Sequence, residues 1–223
     1  YPRLIKVMQK VILLLIYLCC ALFSKAQTDG FSIEPISEKI KERIIGKSFP
    51  KEGARVSINE LRYLKVKHYD ANGNIKHGEI IVNVAIAEDV ISIFKELFSI
   101  KYPIESVKLV DEFNADDEHS MRSNNSSGFL HRKVKGTKSL SKHSYGRAID
   151  INPLYNPCFS IDKNSKTGYK VGTLQPATSS KYVSRKIKYP YTITEEVVRI
   201  FKKYGFRWGG DWITMKDYQH FEK

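Results

Sequence analysis

The N-terminal half of the chain shows two clear hydrophobic periods. Apolar and polar residues alternate over residues 61–69, which predicts a β-strand. A second strand is predicted over residues 79–84, and the intervening Asp-Ala-Asn-Gly-Asn at 70–74 favours a tight turn because Asn-Gly tolerates positive φ. Over residues 88–99 the apolar positions recur with helical spacing, on one face formed by Val90, Ile93, Phe94, Leu97 and Phe98. A hairpin followed by an amphipathic helix is therefore expected.

The rest of the chain has shorter elements separated by long polar stretches. A helix is predicted over residues 37–45, and another after Thr192, which forms a capping-box pattern with Glu195 and precedes a helix that Gly205 would end. Short strands are predicted over residues 104–110, 147–151, 206–212 and 218–222. Residues 114–142 and 155–190 lack periodicity and are predicted to be long loops. The fold class is predicted to be α+β, a single domain with a mostly antiparallel sheet and flanking helices.

The N-terminus has the pattern of a targeting signal. Residues 11–23 form an unbroken apolar run that follows a basic stretch and precedes Ser-Lys-Ala at 24–26. Thirteen residues span only about 20 Å as a helix, which is short for the ~30 Å hydrocarbon core. We therefore predict a cleavable signal peptide over residues 1–26, an exported protein that is periplasmic or extracellular, and no stable membrane span after cleavage. An uncleaved anchor is the alternative.

Composition limits the possible classes of protein. The 223 residues are 42% hydrophobic, which is enough for one domain with a real core. Cys158 is the only cysteine after residue 26, so no internal disulfide is expected in the mature chain. The formal net charge is +13; four basic and no acidic residues lie in residues 1–26, so the remainder still carries +9. This charge favours polyanionic surroundings, but RNA-binding signatures and zinc-finger spacings are absent, and we expect no nucleic-acid partner. A basic nucleic-acid binder, whose DNA affinity would depend on salt and survive chelation, is an alternative.

Candidate chemistry is concentrated in two polar segments, SKHSYGRAIDINP at 141–153 and WGGDW at 208–212 with DYQHFE at 217–222. His143 and His220 supply imidazole nitrogens and Asp150 a carboxylate, a common ligand set of catalytic zinc. Such sites keep a fourth position for water, whose pKa the metal lowers towards ~7. Asp217 precedes His220 by three residues and could act as a general base beside the metal. Residue types alone leave ordinary alternatives open, namely surface or core histidines and turn-forming aspartates.

The combination of these segments resembles the family of zinc D-alanyl-D-alanine carboxypeptidases and L-alanyl-D-glutamate peptidases, in its secreted bacterial branch. This family shares its fold group with the hedgehog signalling domain. Its motif is a His, a Gly three residues later, an Asp seven residues later and a distal acid-x-x-His, which match His143, Gly146, Asp150, Asp217 and His220. The resemblance implies that residues 61–223 form a zinc peptidase domain, preceded by a helical N-terminal segment, residues 27–60, without a recognised motif.

The resemblance also implies roles for individual residues. His143, Asp150 and His220 would bind one zinc ion, and no other cofactor is implied. Asp217 would activate water and then protonate the leaving amine; many relatives have Glu at this position, and the shorter Asp must sit closer. The family also uses an arginine to stabilise the developing negative charge or to hold a substrate carboxylate. Arg132 is the first candidate for this role, with Arg122 and Arg147 as alternatives.

The implied substrates are peptidoglycan stem peptides. Cleavage of D-Ala–D-Ala by carboxypeptidase action is the first choice, and cleavage of L-Ala–D-Glu by endopeptidase action is the alternative. A non-catalytic zinc module that binds the cell wall or a protein is the alternative from another class. The oligomeric state is left open. Two further expectations concern polar residues outside these motifs: His68 and His77 would be exposed beside the hairpin, and Asp116, Asp117 and Glu118 would form a solvated acidic run.

Overall fold

The computed structural model describes residues 30–162 and 170–223. The predicted signal peptide, residues 1–26, lies outside these residues, so cleavage and export stay predictions. Within the two described ranges, every helix is too short or too polar to cross a bilayer.

The described chain contains four α-helices, α1 to α4, and eleven strands, β1 to β11. The helices are Glu38–Ile44, Ala87–Ser99, Asp117–Arg122 and Glu195–Lys203. The strands are Ser32–Pro35, Leu61–Tyr69, Ile75–Asn83, Ser106–Val107, Asn125–Ser126, Ala148–Asp150, Cys158–Asp162, Lys170–Gln175, Arg207–Trp208, Met215–Asp217 and His220–Glu222. Short 3-10 helices lie between them at Ile58–Glu60, Val84–Ile86, Val110–Phe113, Lys142–Tyr145, Ser180–Tyr182 and Gly209–Asp211.

The predicted hairpin is confirmed. β2 and β3 pair antiparallel from Leu61 opposite Asn83 to Tyr69 opposite Ile75. In the connecting turn, Oδ1 of Asp70 accepts hydrogen bonds from two backbone N–H groups, and Gly73 has φ +80°. β3 begins four residues before the predicted start, because its exposed first residues continue the pairing although they have no apolar face to bury.

The main core lies where α2 and α4 pack against the hairpin and the strands that follow. The apolar face of α2 is buried as predicted, except that Phe98 is only partly buried. Fully buried Phe201 of α4 stacks on Phe221 of β11, with ring centroids 3.7 Å apart. Ile149 of β6 joins the same cluster. The strands β6 and β11 are therefore fixed to the core by residues next to the candidate ligands Asp150 and His220.

Residues that precede the predicted domain start also pack on the hairpin. β1 pairs antiparallel with β2, and Ile40 and Ile44 of α1 form a second apolar cluster with Leu61 and Ile81. The predicted helix 37–45 is observed as Glu38–Ile44, and its first predicted residue, Ser37, is the N-cap, whose hydroxyl accepts from the N–H of Ile40. The division at residue 61 stays a prediction.

The class is α+β with antiparallel sheets and flanking helices, as predicted, but the strands form several small sheets instead of one. The orders are β1-β2-β3, β10-β7-β8 and β6-β11-β9, with a parallel β4-β5 pair. The predicted loops 114–142 and 155–190 contain α3, β5, β7 and β8. These elements are short and lack a clear hydrophobic period, so local pattern did not indicate them.

Other predicted boundaries were also wrong, including the strand expected at 206–212, which is reduced to Arg207–Trp208 because a 3-10 helix starts at Gly209. The strand expected at 104–110 is reduced to Ser106–Val107, because Val110 starts a 3-10 helix. The cap of α4 is Thr194, whose hydroxyl accepts from the N–H of Val197. The hydroxyl of Thr192 instead accepts from the N–H of Tyr189, 3.0 Å away, and stabilises the preceding turn.

Candidate metal centre

His143 lies in the 3-10 helix Lys142–Tyr145, which begins and ends at specific signals. The hydroxyl of Ser141 caps its start by accepting from the backbone N–H of His143. Gly146 ends it with φ +64°, and a Cβ atom at this position would lie 2.7 Å from the backbone nitrogen of Asn83. Only glycine fits this turn, which directs the chain into β6 and allows the seven-residue spacing between His143 and Asp150.

Asp150 and His220 face each other across the antiparallel pair β6–β11. Their neighbours Ile149 and Phe221 are fully buried in the main core. Because successive side chains of a strand point to opposite faces, both ligand candidates lie on the face away from that core. On its other side Asp150 forms a bridge with Ser127, through backbone hydrogen bonds of 2.9 and 3.0 Å.

The three predicted ligands converge. Nε2 of His143 lies 3.2 Å from Oδ2 of Asp150, and Nδ1 of His220 lies 3.0 Å from Oδ1 of the same carboxylate. The two imidazole nitrogens are 3.2 Å apart. One potential ligand atom from each residue lies within 4.8 Å of the others, and all three side chains are buried. These residues could hold a metal ion.

Hydrogen bonds outside the cluster orient both imidazoles. Nδ1 of His143 donates to the carbonyl oxygen of Gly128, 2.6 Å away, so the Nε2 lone pair is available to the cluster. Nε2 of His220 lies 3.3 Å from Oε2 of Glu222, which leaves Nδ1 facing Asp150. Such contacts fix the tautomer of metal-binding histidines. Gly128 and Glu222 were not predicted, since both act through contacts that the ligand motif does not encode.

The electrostatics of the cluster favour a cation. Burial opposes ionisation of Asp150, but His143 and His220 outweigh it and hold the pKa of this carboxyl well below its usual range. Burial lowers the pKa of His220, whereas hydrogen bonds with Asp150 and Glu222 raise it to about 10. A proton on this imidazole and a metal ion at the cluster are therefore alternatives, and two nitrogens with one carboxylate suit zinc.

Asp217 lies on β10 directly opposite Cys158 of β7. Its Oδ1 atom is buried and has no hydrogen-bond partner within the described residues. Burial raises the pKa of Asp217 to about 6, although His220 acts in the opposite direction. The close approach of Gly209 also limits its position, because a Cβ atom there would lie 2.5 Å from the Asp217 carbonyl oxygen. An unpaired buried carboxylate oxygen is suited to accept a proton.

A cleft of about 210 Å³ brings these groups together. Its walls include the metal-binding candidates Asp150 and His220, and also Asp217, Cys158 and Arg132. The indole ring of Trp212 lies 5.5 Å from the imidazole of His220, between ring centroids. Of the three arginines considered from the sequence, only Arg132 belongs to these walls.

Arg132 has a partner that the sequence did not predict. Its Nε lies 2.8 Å from Oδ2 of Asp117, the first residue of α3. Burial raises the pKa of Asp117, and Arg132 partly offsets this effect. The expectation of a solvated acidic run is therefore wrong at Asp117. It failed because these residues start a helix: Asp116 caps α3 by accepting from the N–H of His119.

Both hairpin histidines, His68 and His77, were expected to be exposed, and this prediction was wrong for His68. His77 is exposed. His68 is buried, and its Nδ1 lies 2.7 Å from the carbonyl oxygen of Ile104. Neither residue belongs to the metal cluster.

A family model described as D-alanyl-D-alanine carboxypeptidase matches residues 135–223. The matched range contains His143, Asp150, Asp217 and His220. No curated protein and no solved structure matches the chain. Over residues 135–223 the resemblance expected from the motifs is confirmed: this part of the chain is similar to the D-alanyl-D-alanine carboxypeptidase family of peptidases.

Proposed function

We propose that the protein is a zinc metallopeptidase that hydrolyses peptidoglycan stem peptides as a D-alanyl-D-alanine carboxypeptidase. One observation carries the proposal: His143, Asp150 and His220 converge, and two of them, Asp150 and His220, line a cleft together with Asp217. The Oδ1 atom of Asp217 is buried and has no hydrogen-bond partner among the described residues. The family match over residues 135–223 supports a metallopeptidase of this kind. Cleavage of the predicted signal peptide would be consistent with this proposal, because peptidoglycan lies outside the cytoplasm.

Zinc would be held by Nε2 of His143, Nδ1 of His220 and the carboxylate of Asp150. When bound, zinc supplies a Lewis acid that polarises a carbonyl group and makes water more acidic. Asp217 accepts a proton from the attacking water and later donates it to the leaving amine. Its pKa of about 6 suits both steps, since the carboxyl group is mainly ionised at neutral pH and can be protonated during turnover.

Arg132 would bind the negative charge of the substrate. Asp117 forms an ion pair with the guanidinium group, with its Oδ2 atom 2.8 Å from Nε, but Nε makes no hydrogen bond among the described residues. A guanidinium group next to one carboxylate still has a planar pair of Nη donors for a substrate carboxylate or for the oxygen of the scissile carbonyl. Carboxypeptidase substrates carry a terminal carboxylate close to the cleaved bond, which is why we favour D-Ala–D-Ala over L-Ala–D-Glu.

A non-catalytic zinc module is the second candidate. It would need the three ligands but no proton acceptor. The presence of Asp217 in the same cleft, with an unpaired buried oxygen, favours the enzyme.

Mass spectrometry of muropeptide digests tests the proposal. The full chain is loaded with zinc, incubated with muropeptides ending in D-Ala–D-Ala, and compared with the chelated protein. We expect release of D-Ala that chelation abolishes and that Asp217→Asn reduces by roughly 10²-fold or more. Asp211→Asn is the matched control, because Asp211 is exposed and pairs with Lys202 at the surface. Release of the peptide that begins at D-Glu, with L-Ala left on the sugar, would instead identify the L-Ala–D-Glu bond. No product at all would favour the binding module.

A further inference from the structure

A second cleft adjoins the candidate metal centre. It has a volume of about 640 Å³ and shares Arg132, Lys135 and Gln175 with the walls of the first cleft. Its other walls are formed by α3 and by the segment after β8, including Arg122 and Thr178. The two clefts meet at the shared residues, so together they form one groove that extends from Asp217 to Arg122.

The acidic residues of the second cleft are engaged by the protein itself. Asp116 caps its own helix, and Asp117 pairs with Arg132. Oε1 of Glu118 accepts a hydrogen bond of 2.7 Å from the backbone N–H of Ala177, which connects α3 to the segment after β8. Each of the three carboxylates therefore has one oxygen in contact with the protein itself.

Three basic residues of the same cleft, in contrast, make no ion pair with the described part of the protein. Arg122, Lys133 and Lys135 are exposed, and none of them has an ion-pair partner within residues 30–162 and 170–223. The second cleft contains four basic and three acidic residues, a formal charge of +1, and its three exposed cations give this end of the groove a positive potential. A ligand with free carboxylates would complement it.

One further atom points to a peptide and not to a simple anion. Oε2 of Glu118 is buried and has no hydrogen-bond partner among the described residues. A buried unpaired acceptor is costly, and an N–H donor from a ligand would remove that cost. A peptide carries both kinds of group, carboxylates for the cations and N–H donors for Glu118.

We infer that the second cleft is a binding site for an acidic peptide, the part of the substrate that lies away from the scissile bond. Arg122, Lys133 and Lys135 recognise its carboxylates, and Glu118 accepts one of its N–H groups. This inference rests on the proposed function, which it deepens by naming the substrate class: extended acidic peptides in preference to short neutral ones.

The test compares two charge-matched double variants of the full zinc-loaded chain. Arg122→Gln with Lys133→Gln removes two cations of the groove. The control, Lys39→Gln with Lys186→Gln, removes two exposed cations that belong to neither cleft. The substrates are a stem peptide with free carboxylates and the same peptide with its side-chain carboxylates amidated.

We expect the groove variant to raise KM for the acidic peptide roughly 3- to 10-fold, as two exposed charge contacts would, and to raise it less than about 2-fold for the amidated peptide. The control double variant, Lys39→Gln with Lys186→Gln, should leave KM unchanged for both peptides. Wild-type protein that treats both peptides equally, or a groove variant that behaves like the control, overturns the inference.

A binding measurement separates this inference from the proposed function. Labelled acidic and amidated peptides are titrated into Asp217→Asn protein with and without the groove substitutions, and anisotropy is recorded at low and high salt. Failure of the wild type to cleave any peptide refutes the proposed function alone. The groove is then supported if the acidic peptide binds more tightly, in a salt-dependent manner that the groove substitutions remove, and it is refuted if the two peptides bind alike.

Discussion

Nδ1 of His143 donates a hydrogen bond to the carbonyl oxygen of Gly128, at 2.6 Å, from a position fifteen residues later in the chain. The contact fixes which ring nitrogen faces Asp150 and His220. Gly128 can hold this position because it lacks a side chain: a Cβ atom would overlap with the carbonyl oxygen of Ile81 and press on the side chain of Ile80. The orientation of the first ligand thus depends on how closely this loop approaches β3.

Gly128→Ala should weaken metal binding. The added methyl group forces the loop away from β3, and the carbonyl oxygen that orients His143 moves with it. We expect the zinc affinity to fall by about 10-fold or more, measured by competition with a chromogenic chelator. Val90→Ala is the control, because Val90 is fully buried in α2 but does not belong to the site. If both variants lose equal thermal stability and equal zinc affinity, the effect of Gly128→Ala is a general one and the orienting role is refuted.

Glu222→Leu should also weaken metal binding, by about 10- to 100-fold. The substitution removes the acceptor near Nε2 of His220, so the ring can rotate or change tautomer and Nδ1 is no longer held towards Asp150. Chelator competition measures the affinity. Arg207→Gln is the matched control, since Arg207 pairs with the other oxygen of Glu222 at 2.6 Å but is largely exposed. Unchanged affinity in Glu222→Leu would show that His220 is oriented by the metal alone.

The pH dependence of turnover should report on Asp217. Burial raises the pKa of this carboxyl from 3.8 to about 6, and only the ionised form can accept a proton from water. We therefore expect kcat/KM to be level above pH 6 and to fall by about tenfold per pH unit below it. Zinc content is measured over the same range, so that loss of metal in acid is not mistaken for protonation of the base. If kcat/KM stays constant down to pH 5 while zinc is retained, a residue other than Asp217 is the general base.

A separate prediction concerns stability. Burial would raise the pKa of Glu79, but hydrogen bonds from Arg43 and Tyr63 outweigh it, and the pKa lies below its ordinary value of 4.5. Nη1 of Arg43 is 2.9 Å and the Tyr63 hydroxyl 2.5 Å from Oε2 of Glu79. A carboxyl group with a depressed folded-state pKa stabilises the fold above its unfolded-state pKa, and this contribution is lost as pH falls through the folded-state pKa.

Glu79→Gln should therefore lower the free energy of unfolding at pH 7 by roughly 2 kcal/mol, with the difference from wild type shrinking below about pH 4. Urea unfolding of both proteins at several pH values measures this difference in the free energy of unfolding. Glu112→Gln is the control: Glu112 contacts the same arginine at 2.9 Å but is exposed, so we expect a change of about 0.5 kcal/mol or less. Equal losses in both variants would contradict the role assigned to burial.

Sequence patterns that extend over a few residues predicted those elements whose structure depends on neighbouring residues. The hairpin was predicted because alternation and the Asn-Gly turn act over a few residues, and α2 was predicted because one face of it is apolar. The strand Cys158–Asp162 was missed, since its position is set by pairing with its neighbour β8 and with the distant strand β10 and not by its own pattern. The cap of α4 was misplaced because two threonines lie within three residues, and only the contact with Tyr189 distinguishes them.

In the candidate site, too, some features follow from the sequence and others depend on contacts of the folded chain. His143, Asp150, His220 and Asp217 were predicted as site residues because the resemblance identified them by residue type and spacing, and the structure brings the first three together in a group that could hold a metal ion. Asp117 and Glu222 were not, because their importance arises from contacts with Arg132 and His220 that form only in the folded chain. The residues that carry the proposed chemistry are thus easier to predict from a sequence than the residues that orient them.

Asp150 differs from His143 in how it is held. Its backbone bonds to Ser127 on one side, and its strand pairs with the strand of His220 on the other, whereas His143 lies in a short 3-10 helix. Asp150 and His220 are therefore both anchored by strand pairing, and adjustment to ions of different radius would come mainly from rotation of the His143 side chain. The amide proton of Asp150 should exchange with deuterium only when the surrounding strands open.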